Sequence, residues 1–269
     1  MAAPPLKLDR STLLLLMAQW VLFVGNLATA VLSPVAYWIH VLVGFVPIHF
    51  AFTIWHEAAH GTVSNRRWVN HVVGVLGMLP YMTPYFIQRS VHLDHHKYLN
   101  QSGRDPNEVY AGGPLWALPL RYFKLVAAAR KVVSEDPRTV AMKRSDAFFL
   151  LLVIAIWGAA VAFGYWSAFF FAWLLPFVIA KVVMDLYINY LPHVGLPPDR
   201  FKGTRIVDVG WLTPLVLAHN YHAIHHLWPA VPWHGYLARF KKRREYLVEN
   251  GVPIERHVFA TRSGLDRDE

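Results

Sequence analysis

Eight histidines of this chain fall into three groups at helical spacing. His222, His225 and His226 stand at i, i+3 and i+4, His92, His95 and His96 repeat that H-x-x-H-H spacing, and His56 and His60 stand at i and i+4. On a helix each group shares one face. Neutral imidazole is the commonest side-chain metal ligand, and no ion of ordinary coordination number takes eight at once. Two metal ions are therefore the economical reading. A lone histidine pair at this spacing is an ordinary feature of a helix; three such groups in one chain of 15 histidines are not.

A ninth ligand candidate is His193, four residues after Asn189. Pro192 ends or kinks the helix just before it and frees the imidazole to turn toward a site. Residues four apart differ by about 40° around a helix, and residues three apart by about 60° in the opposite sense. Members of an i,i+4 pair should thus share an ion, and the third member of each triplet crosses over. This assigns His56, His60, His92, His96 and His225 to one ion. The other ion takes His95, His193, His222 and His226, with Asn189 as a water-mediated ligand. No catalytic residue is assigned beyond these ligands. Imidazole suits iron, copper, nickel and zinc alike, so spacing leaves the metal open.

Two other classes compete for the same residues. His56-Glu57-Ala58-Ala59-His60 reads H-E-x-x-H, the signature of a zinc protease with Glu57 as general base. One zinc needs three or four protein ligands, which leaves most of the boxed histidines without a role. A membrane metal carrier would spread its ligands along the spans to mark a path. Here they gather beyond one set of helix ends.

The elements that must position these residues are apolar helices. Hydrophobic residues make up 55% of the 269, too many for an ordinary soluble domain. The runs 12–32, 36–55, 147–163 and 168–190 each approach or exceed the length needed to cross a bilayer. The start carries no cleavage site of small residues, so the first run is expected to remain as an anchor. Val72 to Ile87 is apolar but broken by Pro80 and Pro84, and is expected to be re-entrant or interfacial. The fold expected is an all-α integral membrane protein. It comprises one domain over 1–269, with four transmembrane helices, a cytoplasmic helical cap over 56–146 and 191–260 that holds the histidine-rich di-metal site, and a disordered tail over 261–269. His40 and His49 read as packed residues within the second span, His49 with a possible role behind a ligand.

Charge sets the expected orientation. The formal charge is +9, yet neither turn between paired spans carries a positive residue, whereas Arg66, Arg67 and Lys241 to Arg244 lie on the other side. By the positive-inside rule the boxes face the cytoplasm, and nucleic acid is not expected as a partner. The chain has no cysteine, which excludes thiolate-held redox centres of its own. Any redox chemistry must draw electrons from an external donor, and Lys241 to Arg244 are candidate docking charges for an acidic carrier such as a ferredoxin.

The three boxes, Asn189 with His193, and the four-span layout resemble the membrane fatty-acid desaturase and hydroxylase superfamily. Within it, Gly112-Gly113-Pro114-Leu115-Trp116, Tyr190-Leu191-Pro192-His193, Asn220-Tyr221-His222, His225 through Pro229, and Pro232-Trp233 resemble the cyanobacterial type of β-carotene hydroxylase. The resemblance runs from about Trp55 to Tyr236. It implies two iron ions, dioxygen as co-substrate, and hydroxylation at carbon 3 of a carotenoid β-ring that arrives from the membrane lipid phase. Acyl-lipid desaturation and carotenoid ketolation share the same ligand set and are the alternatives within the superfamily.

Overall fold

The computed structural model describes residues 6–110, 114–121, 124–125 and 140–258. The Gly112-Gly113 pair, the basic stretch beyond Leu125 as far as Lys131, and the tail from Thr261 lie outside the described residues. The chain divides into two compact units, Met1–Ser90 with Val133–Val182 and Val91–Val132 with Val183–Glu269. Where the sequence suggests one domain with a cap over 56–146 and 191–260, each unit is thus assembled from two separate stretches.

The first unit is built of long helices: α1 (Arg10–Leu32), α2 (Tyr37–His60), α3 (Arg67–Met78), the first turns of α4 (Tyr85–Tyr98), α5 (Val140–Ala162), and most of α6 (Trp166–Tyr190). Four helical stretches, Arg10–Leu32, Tyr37–His60, Lys143–Ala162 and Trp166–Tyr190, are long and apolar enough to cross a membrane. Leu14, Met17 and Val21 on α1 and Phe148, Leu151 and Ile154 on α5 are large, apolar and exposed. Water would penalise such a surface and lipid would not. The helix that holds the apolar run 36–55 also carries His56 and His60, as their i,i+4 spacing asks. It continues through His60 until Gly61, at φ +75°, takes the left-handed conformation that ends it. Pro80 and Pro84 break the chain as expected, separating α3 from α4.

Buried polar groups tie these helices together. Gln19 on α1 donates to the carbonyls of Pro47 and Gly77, each at 3.0 Å. Asn26 donates to the carbonyls of His40 (3.0 Å) and Ala172 (3.2 Å), and its oxygen lies 2.9 Å from Nδ1 of His40. Ala172 belongs to a π-helical turn, Phe170–Leu174, within α6. A Cβ at Gly44 would lie 2.6 Å from that same carbonyl oxygen, so only glycine admits the approach. His40 is thus a packed residue, and His49 stacks on Phe45 with ring centroids 5.9 Å apart. Asp146 of α5 accepts the amides of Phe86 and Ile87 at 3.2 and 2.8 Å, capping the N-terminus of α4, where a carboxylate is favoured.

The second unit carries the rest of α4, a second π-helical turn at Asp185–Tyr190 that closes α6, and the short helices α7 (Leu212–Leu215), α8 (His222–Leu227) and α9 (Tyr236–Glu249). Its core packs Ile206, Tyr221, Ile224, Tyr236, Phe240 and Leu247. The all-α expectation needs one correction. Strands β1 (Ile206–Val207) and β2 (Ile254–Glu255) pair in parallel, satisfying backbone groups where the chain returns after α9.

Candidate metal centre

Box three is held by a backbone that departs from regular geometry. Leu217 and Ala218 adopt φ of +48° and +61°, uncommon for residues with a Cβ, and lead through a 3-10 turn, His219–Tyr221, into α8. Asn220 locks that turn by donating to Val207 O at 2.8 Å and Thr213 Oγ1 at 3.2 Å. Box two rides on α4, and His193 follows directly on the second π-turn of α6.

His95, His193, His222 and His226 converge, each offering a ligand atom within 4.8 Å of the others. These are the four that helical spacing assigns to one ion. Nε2 of His222 lies 3.0 Å from Nε2 of His193 and 3.1 Å from Nε2 of His226. Two nitrogens each ~2.1 Å from a shared ion and at right angles would stand ~3.0 Å apart, given the usual metal–imidazole length. Burial holds His193, His222 and His226 well below the ordinary imidazole range, and neighbouring imidazoles reinforce the shift. They are neutral, which is the ligating form.

The tautomer of His95 follows from its partner. The Asp105 carboxylate already accepts the backbone amides of Asn100 (2.7 Å) and Asn107 (2.8 Å), and both its oxygens lie 2.9 Å from His95 Nδ1. Such a carboxylate is an acceptor, so Nδ1 of His95 donates, and in the neutral ring Nε2 carries the lone pair. Nε2 is buried with no hydrogen-bond partner. A carboxylate behind a histidine in this way fixes the ring and raises its basicity toward a metal. The four residues therefore fit a bound divalent metal by donor type, protonation and spacing.

A second histidine group stands beside the first in the same unit. His96 Nε2 and His225 Nε2 are 2.7 Å apart, and the His92 ring lies 4.6 Å from His96 and 5.6 Å from His225. Tyr236 Oη lies 3.1 Å from His225 Nδ1, placing Tyr236 behind His225 as Asp105 stands behind His95. His226 also comes within ligand reach of His96 and His225, so one imidazole adjoins both groups. In the first unit, His56 and His60 close α2 with rings 5.0 Å apart. Glu57 is buried, accepts the Thr62 hydroxyl at 2.5 Å, and sits 3.5 Å from His56 Nδ1.

Asn189 is oriented rather than idle. Its amide nitrogen donates to Asp185 Oδ1 at 2.9 Å, and Tyr110 donates to the other Asp185 oxygen at 3.1 Å. Sequence reasoning missed Asp105, Tyr236 and Tyr110, because none has a helical spacing to the side chain it meets, His95, His225 and Asp185 respectively. The one available signal was Asp105 itself, an acid before Pro106 in a turn, where carboxylates accept backbone amides.

The fold and site together define a membrane protein with clustered, neutral, metal-competent histidines. The model of the family described as Fatty acid desaturase matches residues 32–257, and the chain belongs to that family. It is similar to the sn-1 oleoyl-lipid 12-desaturase of Synechocystis sp., 26% identical over 68% of this chain and 61% of that protein. It is likewise similar to the dihydrorhizobitoxine desaturase of Bradyrhizobium elkanii, 26% identical over 67% and 60%. A third relative is the chloroplastic omega-3 fatty acid desaturase of Glycine max, 26% identical over 67% and 48%. The chain spans 61% of the first of these relatives and less of the other two. The superfamily resemblance read from the sequence is thus shown. Closeness to the carotenoid branch is not, since these relatives are named as desaturases.

Proposed function

We propose that this protein is a di-iron, dioxygen-dependent oxidoreductase of the membrane that desaturates acyl chains. The observation that carries the proposal is the pair of histidine groups whose Nε2 atoms face one another at 2.7–3.1 Å in a chain of the desaturase family. One iron takes His95, His193, His222 and His226. The other takes His92, His96 and His225, completed by His56 and His60 as their spacing on α2 predicts, and Asn189 holds a water at the first. Bound iron supplies activation of dioxygen and removal of hydrogen from an unactivated C–H bond.

The chain's own residues set the conditions for that chemistry. Asp105 and Tyr236 orient His95 and His225, and Asp185 fixes the Asn189 amide so that its oxygen faces away. Desaturation removes two hydrogens from the chain and, with dioxygen, two further electrons and two protons, yields two waters. Without cysteine, the protein takes those electrons from an external carrier of the ferredoxin type. Arg66, Arg67 and the exposed Lys241 to Arg244 on α9 support placing the site on the cytoplasmic side.

A second reading is hydroxylation of a carotenoid β-ring, favoured by the stretch from Asn220 to Trp233; ketolation is its neighbour. The names of the relatives reverse the order that this stretch suggested. Expression in a bacterial host that makes both oleoyl lipids and β-carotene separates them. The expected result is newly unsaturated acyl chains, with about two irons per purified chain. Hydroxylated or keto carotenoids with unchanged lipids would transfer the assignment to the carotenoid reading. A single zinc and no iron in an active preparation would sink both.

A further inference from the structure

Two arginines of the second unit are buried with donors left over. Arg121 is 6% exposed, and one terminal nitrogen donates to the Pro114 carbonyl at 2.8 Å. Its other terminal nitrogen, Nη1, is buried without a hydrogen-bond partner. The guanidinium carbon lies 5.4 Å from the centre of the Tyr190 ring. Arg205 is 7% exposed and donates to the Val194 carbonyl at 2.5 Å, while its Nε is buried and unsatisfied. The Glu255 carboxylate and Tyr190 lie within its electrostatic reach, and so does His193. Among the described residues neither arginine makes an ion pair within 4.0 Å.

This arrangement is costly as it stands. Arginine does not shed its proton. Arg205 has the Glu255 carboxylate within electrostatic reach though not in an ion pair, whereas Arg121 has no acid beside it among the described residues. A desolvated charge without a counter-ion is among the least favourable features a fold can carry. A water molecule would satisfy an N–H but bring no charge. Both cations adjoin Tyr190, three residues before the candidate ligand His193. The segment that supplies Arg121 also presents Leu115, Trp116 and Leu120 outward, at 48%, 76% and 58% exposure, the composition of a membrane-facing edge. One short segment thus offers an apolar face to lipid and a guanidinium to an anion.

We propose that Arg121, backed by Arg205, forms an anion subsite beside Tyr190 that takes the phosphate or carboxylate at the polar end of an acyl substrate. The planar guanidinium fork suits either group bidentately. The identity of the chain rests on the proposed function; the anion subsite rests on the two arginines. The substrate class so named is an acyl chain bearing negative charge, and a neutral hydrocarbon such as a carotene falls outside it.

The test is equilibrium binding to the purified full chain in a neutral maltoside detergent, with radiolabelled oleate, dioleoyl phosphatidylglycerol and uncharged methyl oleate as probes. At least one anionic probe should bind about tenfold or more tightly than methyl oleate. Preference for oleate alone identifies a carboxylate, and preference for phosphatidylglycerol alone identifies a headgroup phosphate. Arg121→Gln should abolish the preference while leaving methyl oleate binding unchanged, and Arg121→Lys should keep part of it. Equal binding of all three probes by the wild-type chain, or an intact preference in Arg121→Gln, overturns the proposal. Should Arg121→Gln not fold, an undiminished preference in both Arg121→Lys and Arg205→Gln overturns it equally. Acyl products are scored separately. An Arg121-dependent preference without desaturation would leave the subsite standing and sink the desaturase reading, whereas desaturation without the preference would sink the subsite alone.

Discussion

Polar side chains are buried in two regions of this molecule, and they are treated in opposite ways. Along α1, Gln19 and Asn26 aim their amides at the carbonyls of Pro47, Gly77, His40 and Ala172, donor against acceptor. In the second unit, His222 meets His193 and His226 nitrogen against nitrogen, with burial keeping all three rings neutral. Of any two facing neutral imidazole nitrogens only one can carry the hydrogen between them, so a ring meeting two others at one atom leaves a lone pair unused. The first region uses polarity to fix helices; the second stores lone pairs that a cation completes. Burial alone therefore does not mark a functional site, whereas the kind of partner does.

Four substitutions break or sharpen this contrast. His226→Ala should be the most damaging, because that imidazole adjoins both histidine groups. Activity is expected to fall by more than about a hundredfold, exceeding the usual cost of losing a residue behind a ligand, with both irons depleted in elemental analysis. His193→Ala, confined to one group, should leave closer to one iron per chain, and equal losses in the two variants would contradict the shared position of His226. Asp105→Asn removes the charge behind His95 but keeps its size. Iron retention against a chelator should weaken by ~10–100-fold with helix content unchanged. Asn26→Leu should have the smallest effect. Interhelical hydrogen bonds in membranes contribute roughly 0.6–1.7 kcal/mol each, so unfolding in detergent should shift by about that amount while iron per chain stays constant. Loss of iron in Asn26→Leu would erase the distinction between the two regions.

Much of the candidate site was legible because its histidines obey a helical repeat. Spacing alone separated His95, His193, His222 and His226 from the other five, and the fold brings those four together. The spans were legible for a related reason, since a bilayer demands long uninterrupted apolar runs. What spacing could not supply is the layer behind the ligands. Asp105 reaches His95 through a turn, Tyr236 reaches His225 from α9, and Arg121 reaches Tyr190 across 69 residues of sequence. Such contacts have no period to read. The end of α2 was legible in the same way, since His56 and His60 at i and i+4 ask for a helix there; what spacing did not show is that nearly all of that turn is buried. The substrate preference drawn from Leu227 to Trp233 leaned on residues that pack the second unit's core, Leu227, Trp228 and Trp233 among them.

The π-helical turn at Asp185–Tyr190 holds a length, in the sense that a ruler does. A π-turn is an α-helix with one extra residue accommodated in its winding, and here it ends on the bond from Leu191 N to Leu186 O at 2.8 Å. Deleting any single residue within it would let the helix relax to ordinary pitch without shortening it visibly. Because the surplus residue is absorbed within the turn, the chain beyond it would keep its direction while the residues inside the turn shift register, parting Asn189 from Asp185. The place of Asn189 beside Asp185 is thus written in one surplus residue, and editing chain length there would retune the candidate metal centre while every histidine stayed in place.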